Sequence, residues 1–438
     1  MLLLIYAVAF QIRNKYYDDS PLKKYFIPGL SLKLIGALAA GVIYFFYYGD
    51  GDTINYYNRV IYISNVSANS SLVGWKIIFG NPAVFDWDTY GHYRSLRAYD
   101  TSQFLVVRFA AFFSKFTLGT YSGIALIFAA LSFSGVWMLF KTFATINPKL
   151  IKEFAISCLF IPSVFFWGSG LFKDTIALGF VGWFTYCIYI SFIELKRDFR
   201  IIAMLIISFY VLFVIKKYII MAFLPALLFW VFFKYSDRIK NDFIRRSITP
   251  LIIVVCALGA YVAVNGMGGS DDYWSVDQMT TRAKDMQWWH KEVKKIYGEG
   301  GGGSFYSIGS GDFSAANIIK SFPLAVNVTF FRPYLWEAHN PVMLLSAVES
   351  LILFIFTLRI LFSVGLPKIF KISITNPQVF FALMFSIIFA FAVGFTSFNF
   401  GALVRYKIPC IPFFVMALFI IRHHANISKN TGALPAVE

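Results

Sequence analysis

The chain has 438 residues, of which 58% are hydrophobic and only 14% are charged, and its mean hydropathy is +0.66. Soluble domains carry about 25% charged residues, because polar side chains must cover their surface. The composition therefore excludes a soluble enzyme, a disordered chain and a coiled coil. It predicts an all-α protein, a polytopic bundle of transmembrane helices with aromatic residues facing lipid and its interfaces.

The net charge of +16 would favour nucleic-acid binding in a soluble protein. Here the Lys and Arg residues concentrate in one set of short loops, which the positive-inside rule assigns to the cytoplasm. We therefore expect no nucleic-acid partner, an N-terminus outside and a C-terminus inside. The cysteines all lie in apolar runs, and we interpret them as core residues: Cys158, Cys187, Cys256 and Cys410.

Apolar runs predict eleven membrane spans in chain order. The run at 1–12 is short, and it lacks the basic start and the cleavage site of a removable signal peptide. The eleven predicted spans lie at about 1–12, 30–48, 119–140, 154–168, 174–194, 201–215, 218–233, 248–265, 341–363, 378–397 and 408–421.

The spans divide the chain into five predicted segments. Segment 49–118 is a long outer loop, and Arg108 and Lys115 share one face of its amphipathic piece 104–116, which predicts a helix lying on the membrane. The second outer loop is rich in glycine at 298–303. The segments are 1–48 with two spans, 49–118, a six-span core at 119–265, the second outer loop at 266–340, and 341–438 with three spans and a cytoplasmic tail.

Two carboxylates follow the second predicted span directly. Asp50 and Asp52 stand at its outer end, where a carboxylate is a candidate general base for an acceptor hydroxyl. Asn55 and Tyr56 follow them and are candidate sugar or acceptor contacts. The alternative is an ordinary turn with solvated Asp residues. The spacing of the two Asp residues is also similar to that of metal–diphosphate sites, so a divalent metal stays a weak alternative, and no cofactor is firmly implied.

Cations at the outer ends of other spans are candidate ligands for a phosphate. Lys173 closes a tight hairpin and adjoins Asp174, and Lys216 and Lys217 interrupt an apolar stretch. Charged groups at membrane depth are costly, which makes them functional candidates. The alternative is that these lysines extend to the interface to reach water.

The loop from 331 to 341 combines a cation, a carboxylate and aromatic rings. Arg332 is a candidate bidentate phosphate donor, and Glu337 is a candidate catalytic carboxylate. Trp336 and His339 are candidate sugar or acceptor contacts. The alternative is an aromatic-belt loop with an Arg–Glu ion pair.

Basic residues also precede the last predicted span. Arg405 and Lys407 stand on the outer side, where the positive-inside rule does not account for them, so we interpret them as a phosphate clamp. Asn399 begins this run and is a further candidate for a sugar or acceptor contact.

Together the outer carboxylates, cations and aromatic residues predict transfer of sugar from a polyprenyl-linked donor to a glycan or lipid acceptor in the membrane. The chain resembles membrane glycosyltransferases of the GT-C type and bacterial exopolysaccharide or O-antigen polymerases. The resemblance lies in the Asp-bearing end of an early span, the hairpin 168–174, the loop 331–337 and the closing run 405–412. It implies a catalytic Asp at Asp50 or Asp52, carrier-phosphate contacts at Arg332, Arg405 and Lys407, and a bacterial inner membrane.

Three other functions stay open at this point. A flippase for lipid-linked glycan needs polar groups near mid-span, for which Lys33 and Glu349 are the nearest candidates. A membrane acyltransferase would use His339 as its base. A purely structural membrane protein would have outer loops without a cavity.

Overall fold

The computed structural model describes residues 1–236, 285, 288, 292, 295, 305–306 and 315–431. These residues form helices and connections, and the extended pairing among them is a single bridge between Phe305 and Asn399. Seven helices in the described ranges are long and apolar enough to cross a bilayer, so the chain is a helical membrane protein. They are Lys23–Tyr48, Tyr121–Ile146, Lys173–Ile193, Phe199–Tyr235, Pro341–Val364, Pro377–Ser397 and Ile411–Lys429.

The predicted count of eleven spans is not supported, for reasons that differ along the chain. The first run forms a helix of only 16 residues, Leu2–Tyr17. The run at 154–168 is broken at Ile161, whose backbone is extended. The runs at 201–215 and 218–233 form two helical stretches that meet at Lys216, whose backbone is not helical, and together they count as one candidate span. The predicted span at 248–265 lies outside the described residues.

The described chain divides into two compact units, Met1–Lys216 and Lys217–Glu438. In the first unit, π-helical turns extend three of the helices, at Ile43–Tyr48, Ile156–Phe160 and Tyr189–Ile193. Its helices are α1 Leu2–Tyr17, α2 Lys23–Val42, α3 Asp52–Asn69, α4 Ser71–Phe79, α5 Tyr90–Ser95, α6 Thr101–Ser114, α7 Tyr121–Ile146, α8 Ile151–Ala155, α9 Pro162–Trp167, α10 Lys173–Ile188 and the first part of α11 Phe199–Ser236.

Close packing of α7 against α10 forms the centre of the first unit. A Cβ atom at Gly135 would overlap the carbonyl group of Gly179, and one at Gly182 would overlap that of Gly135. The two backbones therefore approach as only glycine permits, as in many helix pairs in membranes. The contacts pair Gly135 with both Gly179 and Gly182, and Lys141 lies over the ring of Tyr186 further along, so α7 and α10 run parallel.

Because α7 and α10 run parallel, the chain must cross back after α7 before α10 can begin. The broken segment α8–α9 makes this return and packs beside α2. A Cβ at Gly29 would meet Leu159, and one at Gly36 would meet the backbone of Phe165. The contacts advance together along both segments, so α2 and α8–α9 run in the same direction. The hairpin from Gly168 to Phe172 then turns the chain into α10.

Helices α3 to α6 follow the first candidate span in the chain and precede the second, and they form a compact layer. Tyr56 and Val60 of α3 and Phe104 and Val107 of α6 are buried in one apolar cluster. The amphipathic piece predicted at 104–116 is thus helical through Ser114, and protein covers the face that carries Phe104 and Val107. Arg108 is half-buried and donates to the carbonyl of Gly80.

The second unit contains the rest of α11, and six further helices with complete bounds lie among its described residues. The part of the second outer loop that the sequence left without regular structure is helical at Ala315–Phe331. The helices are α12 Ala315–Phe331, α13 Pro341–Val364, α14 Leu366–Thr375, α15 Pro377–Ser397, α16 Phe400–Tyr406 and α17 Ile411–Thr431, with a 3-10 turn at Leu335–Glu337.

Phenylalanine rings in edge-to-face and stacked contacts fill the interior of the second unit. Phe223 contacts Phe385 at 4.7 Å between ring centroids, and Phe330 stacks on Phe414 at 4.1 Å. By contrast, only 22% of the most apolar stretch of α13 is buried within the protein, and Leu345 is 74% exposed. An apolar surface of this kind suits lipid and not water.

Of the predicted core cysteines, three are confirmed as buried and the fourth, Cys256, lies outside the described residues. The three buried thiols belong to Cys158, Cys187 and Cys410.

Candidate functional site

The hairpin between α9 and α10 places Lys173 and Asp174 at the start of a candidate span. Gly170 packs so closely on Phe172 and Ala40 that a side chain there would overlap Phe172. The hydroxyl of Thr175 donates to the carbonyl of Gly170 at 2.7 Å and closes the turn. Asp174 thus lies in the first turn of α10, where the helix dipole stabilises a carboxylate.

Asp174 forms a buried ion pair with Lys216. Both side chains are only 5% exposed, and the Lys216 ammonium donates to Asp174 Oδ1. The backbone of Lys216 leaves the helical conformation at φ −150°, ψ 77°, which is the kink in α11. The sequence placed Lys173 and Asp174 as neighbours and Lys216 as a separate candidate, and the structure joins Lys216 to Asp174.

Lys173 reaches the layer formed by α3 to α6. Its Nζ donates to Ser102 Oγ at 2.8 Å, and the Ser102 hydroxyl donates to Asp100 Oδ1 at 2.8 Å. Arg59 of α3 acts electrostatically on Asp100, and its Nη1 is a buried atom without a hydrogen-bond partner in the described residues. Four residues from three separate stretches, Arg59, Asp100, Ser102 and Lys173, therefore lie near Asp174.

Asp100 is the N-cap of α6, and its neighbours favour its charged form. Partial desolvation acts to raise the pKa of this carboxyl. The hydrogen bonds from the Gln103 amide and the Ser102 hydroxyl, together with the charges of Lys173 and Arg59, outweigh that effect and lower the pKa overall.

Of the two predicted catalytic Asp residues, only Asp52 has an electrostatic contact with Lys173 in the described structure. Asp52 is exposed and begins α3, whereas the Asp50 carboxylate accepts a hydrogen bond from the neighbouring Gly51 amide at 2.6 Å. Asn55 is exposed, and Tyr56 is buried in the apolar cluster at 3% exposure.

We call this group the Lys173 cluster; it consists of three acids, three bases and a serine. Their exposure decreases inwards: Asp52 and Asp100 are exposed, Lys173 is half-buried, and the ion pair lies deepest. The members are Asp52, Arg59, Asp100, Ser102, Lys173, Asp174 and Lys216.

The second unit brings together two predicted residues, Arg332 and Glu337, as a bidentate pair. Arg332 Nε donates to Glu337 Oε2 at 3.0 Å, and its Nη2 donates to Oε1. Partial burial acts to raise the pKa of Glu337, but the hydrogen bonds from Arg332 and from the Tyr334 amide lower it overall. The guanidinium also lies over the ring of Phe400 at 5.1 Å.

The other predicted residues of that loop face outwards. Trp336 is 79% exposed and stacks on Tyr334, with the ring centroids 4.9 Å apart. His339 is exposed. The Tyr334 hydroxyl accepts a hydrogen bond from the Asn327 amide at 3.0 Å, so the loop is tied to α12.

The predicted cations before the last span differ in exposure. Lys407 is buried and donates to Ser350 Oγ at 3.2 Å; its complete burial lowers its pKa, against the charge of Glu349. Arg405 is half-buried and lies over the ring of Tyr406. The predicted residue Asn399 caps α16, accepting from the Ala402 amide at 3.1 Å, and Lys217 is half-buried in this unit.

Lys33 is buried in the middle of a candidate span, at 1% exposure. Its ammonium donates to the carbonyl of Gly168 at 2.7 Å and to Ser132 Oγ and the Val164 carbonyl at 3.3 Å each. Three acceptors match its three donors. Lys33 thereby holds the end of α9 and the first residue of the hairpin that carries Lys173.

Sequence reasoning missed Arg59, Asp100 and Ser102 as members of the site. They lie in the outer loop predicted at 49–118, and a polar side chain there has an ordinary explanation as a solvated surface residue. The available signal was Asp100 followed by Gln103, a helix N-cap pattern ahead of an apolar run. In the described ranges, no group of three or more His, Cys, Asp or Glu side chains could hold a metal ion.

The class of protein that these features define is a helical membrane protein with a charged cluster at the ends of its apolar helices. Comparisons with family models, with curated proteins and with solved structures find no match for this chain.

Proposed function

We propose that the protein is a membrane glycosyltransferase or polysaccharide polymerase. In this proposal it transfers sugar from a polyprenyl-phosphate or -diphosphate carrier to an acceptor hydroxyl on the non-cytoplasmic face of a bacterial inner membrane. The observation that carries the proposal is the Lys173 cluster, in which cations and carboxylates extend from an exposed rim to a buried ion pair at the start of α10. A lipid-linked phosphate needs such a place, with charge close to apolar helices.

The cluster supplies a role for each reacting group. The Asp52 carboxylate takes the proton of the acceptor hydroxyl while that oxygen attacks the anomeric carbon. The bond from that carbon to the carrier oxygen breaks, and its electron pair leaves with the carrier phosphate. Lys173 and Arg59 stabilise the leaving phosphate, in exchange for their present attraction to Asp100.

The ion pair Asp174–Lys216 has a different role in this proposal. Its two charges satisfy each other at 5% exposure, so neither is offered to substrate. The pair fixes the first turn of α10 and hence the position of Lys173. In the second unit Arg332 and Glu337 likewise satisfy each other and hold the loop.

The test is sugar transfer by the full chain in proteoliposomes, with a radiolabelled polyprenyl-diphosphate-linked oligosaccharide as donor. We expect Asp52→Asn to lower turnover about 10²–10⁴-fold, the range for loss of a general base. Asp50→Asn is the matched comparison, two residues away and equally exposed. If Asp52→Asn retains wild-type turnover, the assignment of the base is wrong. If wild type transfers no sugar while it binds the donor, the proposed reaction is wrong.

A second candidate function, a flippase for lipid-linked glycan, is favoured by a charge buried within a candidate span, that of Lys33, whose donors would have to exchange their protein acceptors for the headgroup. A polar group at mid-span is what passage of a charged headgroup through the bilayer needs. The measurement is movement of a fluorescent lipid-linked oligosaccharide across proteoliposomes without chemical change. Movement that is lost in Lys33→Met, without any sugar transfer by wild type, would favour the flippase over the transferase.

A further inference from the structure

An exposed cluster of aromatic rings lies in the connection between α4 and α5. Trp87 is 87% exposed, Phe85 56% and Tyr90 45%. The centroid of Phe85 is 4.8 Å from that of Trp87 and 5.2 Å from that of Tyr90, so the three rings form one surface. We call it the Trp87 platform, and no predicted site residue belongs to it.

The backbone beneath the platform is held by its own polar contacts. The Lys76 ammonium contacts Asp86 Oδ2 at 3.2 Å and Asp88 Oδ2 at 2.6 Å. The Asp88 amide donates to Asp86 Oδ1 at 2.9 Å, and the Tyr90 amide donates to the Asp86 carbonyl at 2.9 Å. The loop thus holds three aromatic rings on the protein surface, where hydrophobic burial would otherwise draw them inwards. Patches of this kind are interaction sites in many proteins.

Charge identifies the kind of partner. Residues 81–91 contain two carboxylates, Asp86 and Asp88, and neither Lys nor Arg. Lys76 pairs with both carboxylates, so the group of three carries one net negative charge. Aromatic anchors in anionic membranes are accompanied by an excess of basic residues, because the lipid surface is negative, and this group has the opposite sign. The two carboxylates alternate with the rings along the chain, and their side chains are 36% and 52% exposed. Their oxygens can accept hydrogen bonds from hydroxyl groups next to a ring face.

We propose that the Trp87 platform binds a neutral saccharide, with a sugar ring stacked on Trp87 and its hydroxyls donating to Asp86 and Asp88. The inference rests on the proposed function in one respect: the saccharide is the acceptor glycan, held on the same layer of helices that carries Asp52 and Asp100. The platform binds the glycan and does not take part in the chemical step.

The experiment measures binding of the intact protein, reconstituted in nanodiscs, to an array of hexose and N-acetylhexosamine oligosaccharides of four to eight units. Hexuronic-acid oligosaccharides of the same lengths are included. We expect neutral oligosaccharides to bind in preference to acidic ones, which the carboxylates repel. Trp87→Ala should weaken binding at least tenfold, while Trp87→Phe keeps a ring and should stay within a few-fold of wild type. The matched control is Trp75→Ala, since Trp75 is an exposed ring of the same layer that stacks on Phe79.

Three results would overturn the inference: no saccharide binding by wild type, equal loss in Trp75→Ala and Trp87→Ala, or a preference for acidic saccharides. A fourth result concerns lipid. The fluorescence of Trp87 is the part of the signal that Trp87→Phe removes. If brominated lipids quench it, the platform lies in the bilayer and does not bind a glycan. The binding assay needs no donor, so Asp52→Asn should bind normally. Binding that depends on Trp87 without any sugar transfer would leave the platform standing and reject the proposed reaction.

Discussion

The ion pair between Asp174 and Lys216 gives the sharpest stability prediction. Both side chains are 5% exposed, so removal of one charge leaves the other buried without its partner. Breaking such a pair from one side costs about 3–5 kcal/mol. We therefore expect Asp174→Asn and Lys216→Met each to lower the free energy of unfolding by about that amount. The double variant should lose no more than either single one, because it buries no unpaired charge.

The free energy of unfolding is measured by titration with SDS in mixed micelles, followed by far-UV circular dichroism. The double-mutant cycle should give a coupling free energy of about 3 kcal/mol. The control is Asp18→Asn, which breaks an exposed pair of similar length, Lys23 Nζ to Asp18 Oδ1 at 2.6 Å with side chains 38% and 62% exposed. Solvent screens that pair, and we expect no measurable loss. Additive single losses, or single losses as small as that of the control, would contradict the reasoning.

Three further predictions concern packing, titration and burial. Gly135→Ala should destabilise the first unit by about 1–3 kcal/mol, because the added Cβ overlaps α10. The control is Gly91→Ala, where a Cβ meets nothing within 4 Å and no loss is expected. The free energies of unfolding of the two variants are compared by SDS titration. The lowered pKa of Glu337 means that its contribution is complete above its unfolded pKa and is lost as the pH falls through the folded value. Stability should thus decrease below about pH 4, and Glu337→Gln should make that decrease smaller in unfolding curves from pH 3 to pH 7, with the remainder due to other carboxyls such as Asp100. In a Cys256→Ser background the three buried thiols should react with a maleimide only after unfolding, as mass spectrometry would show.

The sequence predicted helix positions well where a long apolar run was uninterrupted. The runs at 119–140, 341–363 and 378–397 each lie within or against a candidate span of the structure. It also divided Phe199–Ser236 at Lys216 and Lys217, and the structure interrupts the helix at that point, where the backbone of Lys216 is not helical. The Lys216 ammonium is paired with Asp174, a residue 42 positions away. Hydropathy along the chain contains no information on that pairing.

The candidate site was predicted in part. The hairpin gave Lys173, and the end of α2 gave Asp52, because a charge beside glycine and aromatic residues at a span end is unusual. The sequence could not show that Asp52 and Lys173 are in electrostatic contact. It also could not show that Asp50 and Asp52 differ in their contacts, the Asp50 carboxylate being bonded to the Gly51 amide. Arg332 was predicted as a phosphate donor, whereas the structure pairs it with Glu337, the ion pair that the sequence had offered as the alternative.

By itself, the sequence determined that this is a helical membrane protein, since a chain with 58% hydrophobic and 14% charged residues cannot cover a water-exposed surface. It also determined which residue types stand at the ends of the apolar helices. Only the tertiary structure decided which of those charges meet. Lys173, Ser102 and Asp174 come together because glycine contacts hold α10 beside α7 and because Lys33 ties down the end of α9. Such contacts join residues far apart in the chain, and their free energy exists only once the helices have packed.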